Sequence, residues 1–223
     1  MENIMKTIAI TGGTGFVGRA VVAEFLRSGY IVKALVRSES SKAKLPSHQN
    51  LICIIGDPCV VDDVLQVLEG ADALVHLVGI RRKETSSTGK NYEDIDVGSA
   101  IASIDALKRS STRRMLILTA ADIGNSFYVR CKRKVENLIK EAGLDWTIFR
   151  PSFIVGPGQG WPIILTPFLW AFGHVPGNIG AKTRLAQNIR LEALAKAFVM
   201  AFEDVSTIGK SLDVPDIRQM WKS

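Results

Sequence analysis

The stretch AITGGTGFVGRAVVAEFLRSG, Ala9 to Gly29, constrains the fold more than any other part of the 223-residue chain. Thr7-Ile8-Ala9-Ile10 is a short, apolar, β-prone run, as a strand buried on both faces requires. Beyond the glycines, Val17, Val21 and Phe25 recur four apart with Val22 and Leu26 beside them, which marks one face of a helix. Ser28-Gly29 supplies a stop. The glycines therefore occupy a strand-to-helix junction.

The same alternation continues. Ile31–Val36, Leu51–Ile55, Ala73–Val78, Met115–Leu118 and Trp146–Phe149 read as strands. Val60–Leu68, Ile95–Leu107 and Tyr128–Ala142 read as helices, the last stopped by Gly143. Arg81 to Lys90 reads as a polar loop. Strand and helix alternating through short turns predict an α/β fold with a doubly wound, Rossmann-like parallel sheet. The regular alternation stops after Pro151. The expected division is a dinucleotide-binding domain over residues 1–155 and a small C-terminal substrate lobe over 156–223, the two forming one structural unit. In that lobe Leu191, Leu194, Ala195, Phe198, Val199 and Phe202 form a helical stripe, and Ser211–Val214 reads as a last strand.

Composition excludes several classes. The net charge of +6 is spread over small groups such as Arg81-Arg82-Lys83 and Lys132-Arg133-Lys134, with no interleaved aromatic residues. That pattern argues against nucleic acid and for solvated faces plus one anionic small-molecule site. Cys53, Cys59 and Cys131 lack metal spacing and read as reduced thiols. The longest apolar stretch, Trp161–Phe172, contains two prolines and is shorter than the ~18 residues of a membrane span. With no signal peptide ahead of the first strand, the expectation is a cytoplasmic protein without an integral membrane segment or a metal.

Gly12-x-x-Gly15-x-x-Gly18, with Gly13 extra and Thr11 and Thr14 between, fits a dinucleotide loop. One glycine makes the turn, one admits a pyrophosphate and one lets helix and strand pack closely, while the helix N-terminus supplies amides. An NAD site usually carries an acidic residue at the end of the second strand. Arg37 stands there instead, followed by Ser38, and a guanidinium suits a 2′-phosphate. NADP is expected ahead of NAD.

TGGTGFVGRAVV, ALVR, the GD after the third strand and YVRCKRKVENLIKEAGLDWTIFRPSFIVGPG together resemble the short-chain dehydrogenase/reductase superfamily, over roughly Lys6 to Gly158. The likeness is to its atypical members, nearest the group related to the nucleotide-binding accessory subunit of respiratory complex I. The resemblance implies that Asp57 contacts the adenine, that Gly79 lies against the cofactor and that Arg150-Pro151-Ser152 lines the nicotinamide end. Phe16 and Val17 in the loop, with Gly56, Leu77, Val78 and Phe153, join the implied cofactor-binding positions.

Tyr128-Val129-Arg130-Cys131-Lys132 has the family's Tyr-x-x-x-Lys form. Residues four apart share a helix face, and a nearby cation lowers a phenol's pKa, so Tyr128 is the expected general acid/base and Lys132 its partner and ribose ligand. Two departures stand out. Ala121 occupies the position of the family's Ser or Thr, leaving Thr119 as the nearest candidate and Ser126 as a second. Asp96-Val97 occupies the stretch where the family often has asparagine.

Two functions follow as expectations. One is NADP-dependent hydride transfer to or from a small apolar carbonyl or alcohol. The other is a non-catalytic NADP(H)-binding sensor, assembly factor or accessory subunit. Trp161, Ile164, Phe168, Leu169 and Phe172 would wall an apolar pocket or form the small lobe's own core. His174 reads as pocket lining or surface, and His76 as a satisfied core histidine. The charged flank of the helix carrying Tyr128 favours a monomer.

Overall fold

The computed structural model describes residues 5–80, 89, 91–157 and 187–222. Five strands follow the sequence closely: β1 (Thr7–Thr11), β2 (Ile31–Val36), β3 (Leu51–Ile55), β4 (Ala73–His76) and β5 (Arg114–Leu118). Between them run α1 (Phe16–Arg27), the short α2 (Glu39–Lys42), α3 (Val61–Leu68) and α4 (Gly98–Arg109). Helix α5 (Phe127–Glu141) and strand β6 (Asp145–Arg150) follow. β7 (Phe153–Val155), β8 (Asn188–Arg190), α6 (Leu191–Glu203), β9 (Lys210–Asp213) and α7 (Val214–Lys222) complete the described chain.

The main sheet has the order β3-β2-β1-β4-β5-β6-β9, and each neighbouring pair is parallel. Alternation along the strands fills two cores. Ile8, Ile10, Val75 and Phe149 face α1 and α6, while Ala9, Leu74, Met115, Ile117 and Ile148 face α3, α4 and α5. The Phe149 and Phe198 rings stack at 4.0 Å, pinning α6 to β6.

The order in which successive strands are added reverses between β1 and β4, and in such sheets the crevice beyond the strand ends at that point receives the ligand. The glycine-rich junction opens there.

The C-terminal residues differ from the small lobe read in the sequence. β9 pairs with β6 as the seventh strand of the main sheet, and α6 packs on α1, because the Leu194–Phe198 stripe matches the apolar face left beside α1. Among the described residues, β7 and β8 form a separate pair. Trp161, Ile164, Phe168, Leu169, Phe172 and His174, together with the loop reading for Arg81–Lys90 apart from Gly89, lie outside the described residues.

Candidate active site

Gly12 follows β1 with φ +76°, a conformation that L side chains rarely adopt. A Cβ there would lie 2.6 Å from the Leu77 carbonyl and 2.7 Å from the Val78 nitrogen. The turn is thus pressed against the end of β4. On the opposite side, Gly18 lies against the backbone of Gly12 and Gly13, so any side chain there would force helix and loop apart. Gly15, the N-cap of α1, donates its N–H to Gly12 O at 3.1 Å. No side chain caps α1, and its first turn carries no acidic residue. The opening amides, at Phe16, Val17 and Gly18, are those a helix leaves without an intrahelical partner. This bare cradle fits a pyrophosphate. Thr14 is half-buried at its rim.

Thr11 turns the other way. Its side chain is fully buried, with Oγ1 2.9 Å from His76 Nδ1. Ser103 Oγ lies 3.0 Å from the same nitrogen and Ser99 Oγ 3.4 Å from Nε2. Burial, with Lys132 nearby, pushes the His76 pKa down to about 3, so the imidazole is a neutral core group. Thr11 therefore contributes to the cradle through its backbone and position, not its hydroxyl.

At the end of β2, Arg37 is exposed and forms no ion pair or hydrogen bond among the described residues. Ser38 caps α2 by accepting from the Ser41 N–H at 3.2 Å. Glu39 sits one turn from Lys42, 3.5 Å away, both on the surface. At the end of β3, the Gly56 N–H donates to Val36 O at 2.9 Å. The exposed Asp57 donates its own N–H to Asp63 at 2.7 Å and accepts from the Cys59 N–H at 2.9 Å. Gly13 is buried under the loop, where a Cβ would crowd Val22.

Tyr128 and Lys132 share one face of α5, with the Lys132 ammonium 5.6 Å from the Tyr128 ring centroid. Lys132 is buried, and its Nζ lies 2.6 Å from Asp96 Oδ1. The other Asp96 oxygen accepts from the Ile80 N–H at 2.9 Å. A Cβ on Gly79 would sit 3.4 Å from Asp96 Oδ1 and 3.5 Å from Lys132 Nζ. The glycine strip at the end of β4 thus runs directly onto the charged pair. Burial opposes the Lys132 charge, but Asp96 and then Tyr128 outweigh it, so its pKa is raised.

The expected lowering of the Tyr128 pKa does not hold. Burial raises it, Lys132 lowers it, and Asp96 and Tyr92 raise it again, leaving the phenol above its ordinary value. The sequence reading counted the cation and missed first the burial of the phenol and then the carboxylate beside the cation. Asp96 is delivered by a π-helical turn, Glu93–Val97, at the start of α4; such turns are rare and concentrate at functional sites. Tyr92, just before that turn, meets the Tyr128 ring edge-on at 5.0 Å, and the half-exposed Phe127 ring lies 6.2 Å from Tyr92.

Thr119 is not presented to this cluster. It is buried, and its hydroxyl donates to Glu136 Oε1 at 2.8 Å, with Phe149 O at 3.2 Å. Glu136 also binds Arg150, whose Nε lies 2.9 and 3.1 Å from its two oxygens. The Arg150 guanidinium is thereby held against α5 rather than free to line a nicotinamide. Ser126 caps α5, accepting from the Val129 N–H at 3.3 Å. Ala121 is buried and donates its N–H to Pro151 O at 2.9 Å, while Ser152 and Phe153 remain partly open beyond β6.

Comparison with known proteins now decides the family. A family model described as NAD(P)H-binding matches residues 12–166, more than half the chain. The chain belongs to this NAD(P)H-binding family. It is 27% identical over 159 residues to a ceramide reductase of Caulobacter vibrioides, covering 68% of this chain and 47% of that protein. It is 29% identical over 147 residues to a photosystem II assembly factor of Cyanophora paradoxa, covering 65% and 44%. The chain thus spans about half the length of these curated relatives. Among solved structures, the Bordetella bronchiseptica enzyme WbmH in complex with NAD+ superposes with a TM-score of 0.69 at 19% identity, covering 98% of this chain and 80% of WbmH. That likeness shows the Rossmann-like fold, which a short-chain dehydrogenase/reductase of Veillonella parvula shares with a TM-score of 0.65 at 17% identity. Among the described residues no helix is long and apolar enough to cross a membrane.

Proposed function

We propose that this NAD(P)H-binding chain is an oxidoreductase that prefers NADP and acts on a small, apolar carbonyl or alcohol. The Tyr128–Lys132–Asp96 cluster beside Gly79 carries the reading, because it sets a phenol and an ammonium where the glycine strip ends. Gly12, Gly15, Gly18 and the opening turn of α1 would hold the pyrophosphate, Asp57 the adenine and Arg37 the 2′-phosphate. When bound, the nicotinamide supplies or accepts hydride at the substrate carbon. Tyr128 exchanges the proton at the substrate oxygen, Lys132 holds the ribose, and the Tyr92 and Phe127 rings offer an apolar wall.

A second reading has its own observation. Ala121 has no hydroxyl and the Thr119 hydroxyl is engaged with Glu136, so neither gives the substrate oxygen a second donor, and loss of such a donor can remove about 2.7 kcal/mol or more of transition-state stabilisation. On this reading the chain is a non-catalytic NADP(H)-binding sensor, assembly factor or accessory subunit.

One experiment separates them. Purified, nucleotide-free protein is titrated with NADPH and NADH by nicotinamide fluorescence, then offered aldehydes, ketones and quinones. Tighter NADPH binding with turnover abolished by Tyr128→Phe supports the oxidoreductase. Tight binding without turnover supports the second reading, and no binding refutes both.

A further inference from the structure

We propose that Asp96 is a positioning residue that, by pairing with Lys132, keeps the Tyr128 phenol protonated in the free site and so sets the pH above which the site can take a proton from an alcohol. This deepens the oxidoreductase reading and rests on it. Four observations carry it. The Asp96 side chain is almost wholly buried, so its charge is not dispersed by water. One oxygen is fixed by the Ile80 N–H and the other lies on Lys132 Nζ, so the carboxylate cannot turn away. The π-helical turn widens the backbone at this residue alone in the described chain. Gly79 leaves room beside the pair that any side chain would narrow.

The groups facing Tyr128 and its lysine come from three elements. Lys132 and Cys131 lie on α5, Tyr92 and Asp96 at the π turn, with Glu93 held there by Lys134 and Cys131, and His76 ends β4. His76 is neutral, Glu93 is matched by Lys134, and Asp96 cancels Lys132. Among the described residues no net cation is left to hold a phenolate. In the reducing direction the carbonyl carbon accepts hydride from the reduced nicotinamide and the C=O π pair moves to oxygen. That oxygen takes the Tyr128 proton, and the tyrosinate regains a proton from water. The reverse direction needs the phenolate at the start, and so needs high pH.

The test reads the phenol directly, without nucleotide. The near-ultraviolet phenolate band of wild type and of Asp96→Asn is titrated, each against its Tyr128→Phe counterpart to isolate one of three tyrosines. Asparagine keeps an oxygen for Ile80 and removes only the charge. The Tyr128 midpoint is expected to fall by about one pH unit, a tenfold rise in phenolate at a given pH. The pH at which alcohol oxidation sets in should move down by the same amount. Should Asp96→Asn fail to fold, Asp96→Ser gives the same reading. An unchanged midpoint in a folded variant overturns the proposal, even if its melting temperature drops. Failure of NADPH binding or turnover would instead strike the functional reading while leaving the phenol titration intact.

Discussion

Gly18→Ala separates the close-packing role of the glycine loop from its turn role. Gly18 is helical, so alanine would favour α1 by roughly 1 kcal/mol if the space were free. It is not free: the new Cβ would fall on Gly12 O and 2.7 Å from Gly13 C and Cα, all backbone atoms that yield only by moving the loop. Overpacking of this kind costs about 1–3 kcal/mol, leaving a net loss of up to about 2 kcal/mol. For a domain of 223 residues the full 2 kcal/mol would lower Tm by about 4–8 °C. The same displacement moves the opening amides of α1 off the pyrophosphate, so NADPH affinity should drop at least about tenfold, or 1.4 kcal/mol. Gly29→Ala is the control. It combines φ +85° with nothing within 4 Å, so it should lose about 1 kcal/mol to backbone strain and bind NADPH normally. The readouts are a thermal melt and a nicotinamide fluorescence titration. If Gly18→Ala binds NADPH as wild type does, the loop is not the cradle described and its glycines serve packing alone.

Arg37→Ala should weaken NADPH binding about tenfold and leave NADH binding unchanged, since only the 2′-phosphate distinguishes them; equal loss for both would refute the assignment. Thr119→Val should lower stability by about 1–3 kcal/mol in a denaturant melt, because Glu136 and Phe149 O lose a buried donor, with turnover essentially retained. A selective loss of kcat would return Thr119 to the catalytic set. His76 binds fewer protons when folded than when unfolded, because its pKa falls from 6.5 to about 3. Its contribution is therefore complete above pH 6.5 and is lost as pH falls from there toward 3, at up to about 1.4 kcal/mol per pH unit. His76→Gln should flatten that acid limb in melts taken across the interval, and an unaltered slope would refute the linkage.

What could be read from the sequence tracks how locally each feature is determined. β2 and β3 match the reading residue for residue, since short apolar runs between breakers decide a parallel strand by themselves. β7 and β8, three residues each, are too short to show a period and exist only through mutual pairing. α7, Val214–Lys222, went unread because Val214 was taken into the preceding strand, although Val214 and Ile217, three apart on its inner face, are both fully buried. Helix periodicity across Ile95–Leu107 hid the π turn, which shifts the phase of a single turn. The candidate site divides in the same way. The glycine spacing and the Tyr128–Lys132 repeat are contiguous and were legible. The signs of their electrostatics were not, because Asp96 and Glu136 act on partners distant in sequence. The Asp96-Val97 departure from the family pattern was the one available signal.

The five residues His76 to Ile80 explain why these distant parts form one unit. His76 holds Thr11 from below, immediately ahead of the φ-positive Gly12. Leu77 and Val78 are the backbone against which Gly12 is pressed, and the Leu77 N–H is bound by Thr11 O at 2.9 Å. Gly79 borders the Asp96–Lys132 pair, and the Ile80 N–H fixes the far oxygen of Asp96. A displacement of this strand end by an ångström would therefore disturb the pyrophosphate cradle and the proton-donating cluster together. Buried polar groups are costly unless every partner is met, and here His76, Thr11, Ser99, Ser103, Asp96 and Lys132 meet one another across β1, β4, α4 and α5. That density of polar contacts contributes little net stability over an apolar core of the same volume. Its effect is on geometry: it fixes the separation between the glycine-rich turn and the Tyr128–Lys132 cluster, and on the proposed oxidoreductase reading that separation would align hydride and proton transfer.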